Sequence, residues 1–564
     1  MCENIMEVLM SHLLKKSLVT TSFLSLACLT LASVHVSAQE KFDKSLEQTI
    51  SSGTLKGKKD KENKAIEWLG IPYATSERWK APEDVAKWTD TFDATKVGDK
   101  AIQFNNGEVV GQENALNLDV VRPDNAKVDL PVVVFLHGGN NQTGHAQEIK
   151  GNTIVNDIDA VYVSINYRLG AFGFNPLEAL KTGSDEENSG NYALLDIASA
   201  LDWVKENIET FGGDKDNVTL TGFSAGGRDV MATLTSPLFK GKYDKAISYS
   251  GGMTLADVEE SQEIFASAIA PLVVEDGLKA NEEEAKSWLL SDSKEVQDHL
   301  TSVKADRLAK LMGNAGIRMS VFPHLYKDGN VIPKEGFETT KLNDVPLMLV
   351  TGTNEFSLFA AFDQRFAEDF NSGELFKDKK KMAEFLYARN YGGQLYRLSN
   401  GVESARTLDK QYTSDIFVSE ISYGDNEKVT PKLANSLGAF HGIFEPLLQT
   451  PSNYEVFIGD SFENKGAQQL SADFKGYLKN FIRSGNPNSK KLTKWDKWTA
   501  KGNEVFSLDA SKTKAKIKMI SDDETAFDII EKMKADQSIS DETKEDLNKT
   551  VLNGRWFSSE LDKQ

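Results

Sequence analysis

The stretch "TLTGFSAGGRDV" at residues 219–230 places one serine between two glycines at the end of an apolar run. The run Val218–Thr221 reads as a buried strand, and Gly226–Thr235 can form a helix. Residues 222–226 therefore match the G-x-S-x-G pattern of a strand–turn–helix elbow, which holds the serine hydroxyl beside the N-terminus of a helix. Taken alone, the pattern has a second interpretation, an ordinary glycine- and serine-containing turn.

Strand and helix patterns alternate around this elbow. The runs "LPVVVFLH" (130–137), "AVYVSINY" (160–167) and "VPLMLVTGTN" (345–354) are apolar and of strand length, and residues 193–211 carry apolar side chains at helical spacing. This alternation predicts an α/β fold: a mostly parallel, twisted central sheet with helices on both faces. Residues 255–312 are charged and helix-forming, and we expect them to be helical insertions without catalytic groups.

A serine hydroxyl needs a base, and the base needs an orienting carboxylate, before the hydroxyl can act as a nucleophile. Glu355 follows the strand at 345–354, and His441 lies late in the chain in "LGAFHGIFEP". The order Ser224, Glu355, His441 is the serine, acid, histidine order of α/β-hydrolases. Glu355 has an alternative interpretation as a glutamate that favours the start of a helix.

Small residues follow the strand at 130–137 in the sequence His137-Gly138-Gly139-Asn140. Such a turn lets backbone N–H groups converge on the oxygen that becomes negatively charged during acyl transfer. The pattern thus predicts an oxyanion hole in this loop. The proposed chemistry needs no metal ion or organic cofactor, so none is predicted.

The N-terminus predicts export. Lys15 and Lys16 precede the apolar run "SLVTTSFLSLACLTLAS", and Val36-Ser37-Ala38 offers a cleavage site, so residues 1–38 resemble a secretory signal peptide. An uncleaved anchor, or a lipoprotein attached through Cys28, remains an alternative. Both cysteines lie within this segment, so the mature chain would have no disulfide, which fits a bacterial periplasmic or secreted protein.

The chain has 564 residues and a net charge of −19, which argues against nucleic acid as a partner. No low-complexity linker or internal repeat divides it, so we predict one catalytic domain over 39–520 and a polar helical tail over 521–564. After signal cleavage no stable membrane insertion is expected. The oligomeric state and the packing of the tail stay open.

From about residue 50 to residue 510 the chain resembles the type-B carboxylesterases, the α/β-hydrolases that include para-nitrobenzyl esterases and cholinesterases. The matching stretches include "WLGIPYA" (68–74), "SINYRLGAFGFN" (164–175), "GTNEF" (352–356), "GAFHG" (438–442) and "FIRSGNPN" (481–488). The resemblance implies Ser224 as nucleophile, His441 as general base and acid, and Glu355 as orienting acid. It assigns the oxyanion hole to the N–H groups of Gly139, Asn140 and Ala225.

The chain departs from the family pattern at several positions. Asn140 replaces the third oxyanion glycine, which leaves the loop less conformational freedom. Phe223 and Ile197 replace a glutamate and a glutamine. The acid loop is short, so Asp363 is a second candidate for the acid. The segment 101–114 lacks the family's disulfide loop and its tryptophan, so choline esters are not expected as preferred substrates.

The leading hypothesis is a serine ester hydrolase that acts on small to medium neutral esters through an acyl-enzyme. Two alternatives remain open at this point. One is a catalytically silent adhesion or binding module, because the fold family includes neuroligin-like members. The other is an amidase or lactonase that uses the same three residues, which sequence does not separate from an esterase.

Overall fold

The structure is a computed structural model that describes residues 41–313 and 316–563. The predicted signal peptide, with Cys2 and Cys28, lies outside the described residues. The strands are β1 (Glu47–Ile50), β2 (Gly53–Lys56), β3 (Lys58–Asp60), β4 (Ala65–Pro72), β5 (Phe92–Asp93), β6 (Gln103–Asn105), β7 (Glu108–Val110), β8 (Asn117–Pro123), β9 (Leu130–Leu136), β10 (Val161–Ile165), β11 (Gly213–Phe223), β12 (Lys245–Tyr249), β13 (Leu347–Gly352), β14 (Ile416–Ile421), β15 (Glu504–Ala510) and β16 (Ala515–Ser521).

Within the described part of the chain, eleven of these strands form one sheet in the order β16-β15-β14-β13-β12-β11-β9-β10-β8-β4-β3. The strands from β10 through β9, β11, β12, β13 and β14 to β15 run parallel, and antiparallel strands close both edges. The apolar runs at 130–137, 160–167 and 345–354 become β9, β10 and β13, which are buried throughout because they lie mid-sheet. The predicted mostly parallel sheet is confirmed.

The α-helices are α1 (Gly151–Ile158), α2 (Gly170–Gly173), α3 (Tyr192–Asn207), α4 (Ala225–Thr233), α5 (Val258–Glu275), α6 (Glu282–Leu289), α7 (Lys294–Ser302), α8 (Ala305–Ala309), α9 (Ser357–Ala361), α10 (Ala367–Ser372), α11 (Lys379–Leu398), α12 (Ser404–Leu408), α13 (Pro431–Ala434), α14 (Glu445–Leu448), α15 (Glu455–Ile458), α16 (Lys465–Ser484), α17 (Ala526–Ala535), α18 (Asp541–Leu547) and α19 (Ser559–Asp562). Helices cover both faces of the sheet, as predicted. Helices α5 to α8 form the expected insertion between β12 and β13.

The C-terminal tail is helical and packs on the body of the protein. Helix α17 lies against α11 and buries its apolar side chains Ile529, Ile530 and Met533. Leu552 and Phe557 farther along the tail are also buried. Among the described residues, no helix combines the length and the apolar character needed to cross a bilayer.

Candidate active site

Ser224 lies in the turn between β11 and α4, as the elbow pattern predicts. Its backbone has φ 55° and ψ −113°, a conformation that a residue with a side chain rarely adopts. A Cβ on Gly222 would lie 2.2 Å from the carbonyl oxygen of Gly226, and one on Gly226 would lie 2.2 Å from that of Leu136. The two flanking glycines are therefore required, because strand β9, strand β11 and helix α4 approach too closely for a side chain.

Glu355 follows β13 and is completely buried. Its Oε1 accepts hydrogen bonds from the Ser250 hydroxyl at 2.6 Å, the Thr351 hydroxyl at 2.9 Å and the Gly352 N–H at 2.5 Å. Its Oε2 faces Nδ1 of His441 at 2.6 Å. With four donors on two oxygens, a buried carboxylate is well solvated by the protein and stays aligned with the imidazole.

The loop that carries His441 is joined to the loop that carries Glu355, since the Asn354 N–H donates to the Ala439 carbonyl at 2.9 Å. The ring of His441 lies among three aromatic rings, those of Phe223 at 4.9 Å, Phe359 at 5.0 Å and Tyr396 at 5.4 Å between centroids. These contacts and the Glu355 hydrogen bond fix the orientation of the imidazole.

Nε2 of His441 is buried and has no hydrogen-bond partner among the described residues. A carboxylate on Nδ1 favours the tautomer that carries its proton there, so the Nε2 lone pair can accept a proton. The structure thus brings Glu355 and His441 together, and Phe223, next to Ser224, touches the imidazole. It does not join the Ser224 hydroxyl to Nε2 by a hydrogen bond, a contact that often tightens only when substrate binds.

The loop after β9 lies against the serine, since a Cβ on Gly138 would be 3.2 Å from Cβ of Ser224. Gly139 has φ +103°, and Asn140 and Asn141 have φ +54° and +55°. Among the described residues, no acceptor takes the backbone N–H of Gly139, Asn140 or Ala225. Ala225 is also the first residue of α4, whose dipole favours negative charge at this end.

Four polar residues around this loop were not anticipated from the sequence: the buried Arg228, Asp229 and His324, and the partly buried Glu148. Glu148 Oε2 accepts the Gly138 N–H at 2.7 Å, and burial raises the pKa of Glu148 to about 7. Arg228 donates from Nη2 to Oδ1 of Asn140 at 2.8 Å. Asp229 accepts from Nδ2 of Asn141 at 2.8 Å, and burial raises the pKa of Asp229 to about 7.

A signal for two of them was present in the sequence. Arg228 and Asp229 are adjacent charged residues in the first two turns of a helix that starts from a buried elbow. Charged side chains are rarely buried in such a position without a partner, so their partners had to lie nearby.

Asp363, the second candidate for the acid, lies elsewhere. Its Oδ2 is 3.7 Å from Nη2 of Arg318 and 3.4 Å from Nη2 of Arg555, which belongs to the C-terminal tail. The carboxylate in contact with His441 is that of Glu355.

The C-terminal tail reaches the surroundings of the site. Phe557 stacks on Tyr396 with centroids 4.7 Å apart, and Tyr396 in turn stacks on His441. Phe557 also meets the edge of Phe356, which follows Glu355, at 5.4 Å. One tail residue therefore supports both the imidazole and the acid loop.

The carboxylesterase family model matches residues 44–450. The chain belongs to the carboxylesterase family. It is 27% identical over 487 residues to the para-nitrobenzyl esterase of Bacillus subtilis (strain 168), which covers 82% of this chain and 95% of that protein. Carboxylesterase 3 of Pongo abelii is 26% identical over 528 residues, covering 83% and 88%.

A solved structure of a PNB esterase has a TM-score of 0.64 at 27% identity and covers 84% of this chain and 97% of its own. The resemblance to type-B carboxylesterases and the α/β-hydrolase fold are thereby confirmed, and the chain is an ester hydrolase of this family. The relatives are matched nearly end to end, whereas about a sixth of this carboxylesterase has no counterpart in the PNB esterase.

Proposed function

We propose that this carboxylesterase cleaves carboxylic esters through an acyl-enzyme on Ser224, with His441 as general base and acid and Glu355 as the orienting acid. The observation that carries the proposal is the buried pair between Glu355 Oε2 and His441 Nδ1, which leaves Nε2 without a partner. That arrangement is the one a histidine base requires.

In the first half-reaction, the Ser224 oxygen attacks the ester carbonyl carbon while Nε2 of His441 accepts the hydroxyl proton. The carbonyl oxygen becomes an oxyanion, and the N–H groups of Gly139, Asn140 and Ala225 donate to it. The C–O bond to the alcohol then breaks, and Nε2 returns the proton to the departing alkoxide oxygen. The acyl group remains on Ser224.

In the second half-reaction, water replaces the serine as nucleophile. Nε2 of His441 accepts a proton from the water while the water oxygen bonds to the acyl carbon. The bond between the acyl carbon and Oγ of Ser224 then breaks, Nε2 returns the proton to Oγ, and the carboxylic acid is released. The carboxylate of Glu355 stabilises the imidazolium that forms twice in each cycle.

Neutral esters of small to medium size fit this site best. The imidazole lies among the rings of Phe223, Phe359 and Tyr396, and aromatic side chains favour apolar acyl or alcohol groups. The net charge of −19 disfavours the approach of anionic substrates.

The decisive experiment compares the wild type with Ser224→Ala on short para-nitrophenyl esters. We expect kcat to fall by about 10⁴- to 10⁶-fold, because no other group can form the acyl-enzyme. Ser419→Ala is the matched control: Ser419 is a fully buried serine on β14, and its loss leaves turnover unchanged.

An organophosphonate probe followed by peptide mapping gives a second readout. The probe modifies Ser224 in the wild type and nothing in Ser224→Ala. Equal turnover in wild type and variant contradicts the proposal, as does a wild type without turnover or labelling, which favours the binding-module alternative. Faster turnover of the matching amide or lactone than of the ester contradicts the ester assignment alone.

We also infer that the protein is exported, with residues 1–38 removed. The support is the basic, apolar and small-residue pattern of this segment and the absence of cysteine from residues 39–564. N-terminal sequencing of protein from the periplasm or medium should begin at Gln39. A mature N-terminus at Cys28 carrying lipid, or a chain that still carries the apolar segment before Gln39, contradicts cleavage at this site.

A further inference from the structure

Arg228 is completely buried one turn after the serine, on helix α4. Its Nη2 donates to Oδ1 of Asn140 at 2.8 Å, and its Nη1 lies 3.1 Å from Nε2 of His324. Burial lowers the pKa of Arg228, because desolvation disfavours the charged form. Burying a guanidinium costs free energy, and the hydrogen bonds that Arg228 makes must compensate for it. We therefore ask what these hydrogen bonds do for the neighbouring loop.

The loop segment that Arg228 contacts has a strained backbone. Asn140 and Asn141 follow one another with φ +54° and +55°. Left-handed backbone costs a residue with a side chain about 1 kcal/mol or more, although asparagine tolerates it better than most. A glycine would adopt this conformation without a support, whereas two consecutive asparagines need one.

Both asparagines are anchored to the same helix. Asn140 binds Arg228, and Nδ2 of Asn141 donates to Oδ1 of the adjacent Asp229 at 2.8 Å. Helix α4 also begins with Ala225 directly after Ser224. One helix therefore holds the nucleophile, one N–H donor of the proposed oxyanion hole, and the side chains that position the loop with the other two donors.

We propose that Arg228 is a positioning residue for the oxyanion hole: its guanidinium holds Asn140 in left-handed backbone, so that the N–H groups of Gly139 and Asn140 face the same point as that of Ala225. The inference rests on the proposed function and deepens it. Asn140, which replaces the family's glycine, and Arg228 on helix α4 then act as a pair. Asn140 needs the hydrogen bond from Arg228 to keep its left-handed backbone, and Arg228 needs the amide oxygen of Asn140 as a partner for its buried guanidinium.

A positioning role has a kinetic signature that general destabilisation lacks. The oxyanion is absent from the bound ester and forms only in the tetrahedral intermediate and the transition states beside it, so misplaced N–H donors lower kcat while the ester still binds. We expect Arg228→Met to lower kcat about 10- to 100-fold with KM changed less than about threefold, since a displacement of about 1 Å in a catalytic donor has this effect. Affinity for a trifluoromethyl ketone inhibitor, which forms the oxyanion adduct, should fall in parallel.

Arg228→Lys separates charge from geometry. Lysine keeps the positive charge but lacks the planar fork that reaches Asn140 and His324 together. We expect Arg228→Lys to lose most of what Arg228→Met loses. This variant also keeps the test decisive if Arg228→Met does not fold.

The sharpest test is a double-mutant cycle. In an Asn140→Gly background the loop no longer needs its support, so adding Arg228→Met should lower kcat by less than about threefold, against the larger loss in the wild type. Arg122→Met is the matched control, because Arg122 is another fully buried arginine, which donates to the carbonyls of Phe211 and Lys127. It should lower Tm and leave kcat unchanged.

An Arg228→Met enzyme with unchanged kcat, or with the same loss in both backgrounds, overturns the inference. A parallel rise in KM without a fall in kcat also overturns it. These outcomes require an active wild type whose Ser224 is labelled by the organophosphonate. Failure of the proposed function shows itself differently, as a wild type without turnover or labelling.

Discussion

The acid loop after β13 and the oxyanion loop after β9 flank the same serine but are supported in opposite ways. In the acid loop, the charge belongs to the proposed functional side chain, Glu355, and neutral donors from Ser250, Thr351 and Gly352 compensate its burial. In the oxyanion loop, the proposed functional groups are backbone N–H groups, and the buried ionisable residues Arg228 and Asp229 support it from the next helix.

This difference predicts how strongly substitutions in each loop reduce activity. A side chain that acts directly is lost in one substitution, so changes at Glu355 should abolish most activity. Backbone donors survive any substitution except one by proline and are otherwise only displaced, so side-chain changes around the oxyanion loop should give graded losses.

Glu355→Gln should have the largest effect. A neutral amide of the same shape favours the wrong imidazole tautomer and no longer stabilises the imidazolium, so kcat should fall by about 10³- to 10⁴-fold. Steady-state kinetics on a para-nitrophenyl ester measure it. Glu384→Gln is the control, because Glu384 is a buried glutamate paired with Arg365 away from His441. A loss smaller than tenfold would place the acid elsewhere.

Asp229→Asn tests the ionisable support of the oxyanion loop through its effect on stability. Burial raises the pKa of Asp229 from 3.8 to about 7, so the folded state binds more protons than the unfolded state between these values. The wild type should therefore lose stability relative to Asp229→Asn as pH rises from about 4 to about 7, by up to about 4 kcal/mol.

Denaturant unfolding of both proteins at pH 4, 5.5, 7 and 8 measures this difference. Glu148, whose pKa burial also raises to about 7, is present in both proteins and cancels in the comparison. Asparagine keeps an oxygen for Nδ2 of Asn141. A free-energy difference that does not change with pH would show that the carboxyl of Asp229 titrates normally.

Asn141→Ala should have a smaller effect, on activity. It removes the hydrogen bonds to Asp229 and Tyr167 and puts alanine at φ +55°. These changes loosen the loop and displace its backbone N–H groups without removing them. We expect kcat to fall about tenfold with KM nearly unchanged. The buried Asn207→Ala, which loses bonds to Ser51 and Trp203, should affect only Tm. A loss as large as that of Glu355→Gln would erase the contrast between the loops.

Ser250→Ala should have the smallest effect. It removes one of the three donors to Oε1 of Glu355, and the remaining Thr351 and Gly352 bonds hold the carboxyl group in place. We expect kcat to fall less than about fivefold, since two of the three donors remain and the loss of about 1 kcal/mol, the net contribution of a typical hydrogen bond, corresponds to about fivefold. A hundredfold loss would mean that the hydroxyl itself orients the acid.

Much of the site could be read from local patterns. The elbow around Ser224 needs glycines because two strands and a helix meet there. The five consecutive residues 222–226 are enough to recognise this requirement. Strands β9, β10 and β13 could be located because a strand buried on both faces is a continuous apolar run. The placement of Glu355 after such a strand then followed from the geometry of parallel sheets.

Other features depend on residues that lie far apart in sequence and carry no shared pattern. Asn140 and Arg228 are 88 residues apart, and neither residue type by itself predicts the other. The composition of the tail was enough to predict that it is helical. It did not predict that Phe557 would stack on Tyr396 next to the imidazole of His441. Aromatic rings pack on whatever apolar surface the fold presents to them.

The sequence by itself therefore determined the fold class, the elbow and the order of the three candidate catalytic residues, because these depend on local backbone geometry and on the periodicity of buried strands. Only the tertiary structure decided which carboxylate meets His441, what supports the oxyanion loop and where the tail docks. Those outcomes depend on distances between side chains of different elements, and such distances exist only once the sheet and helices have packed.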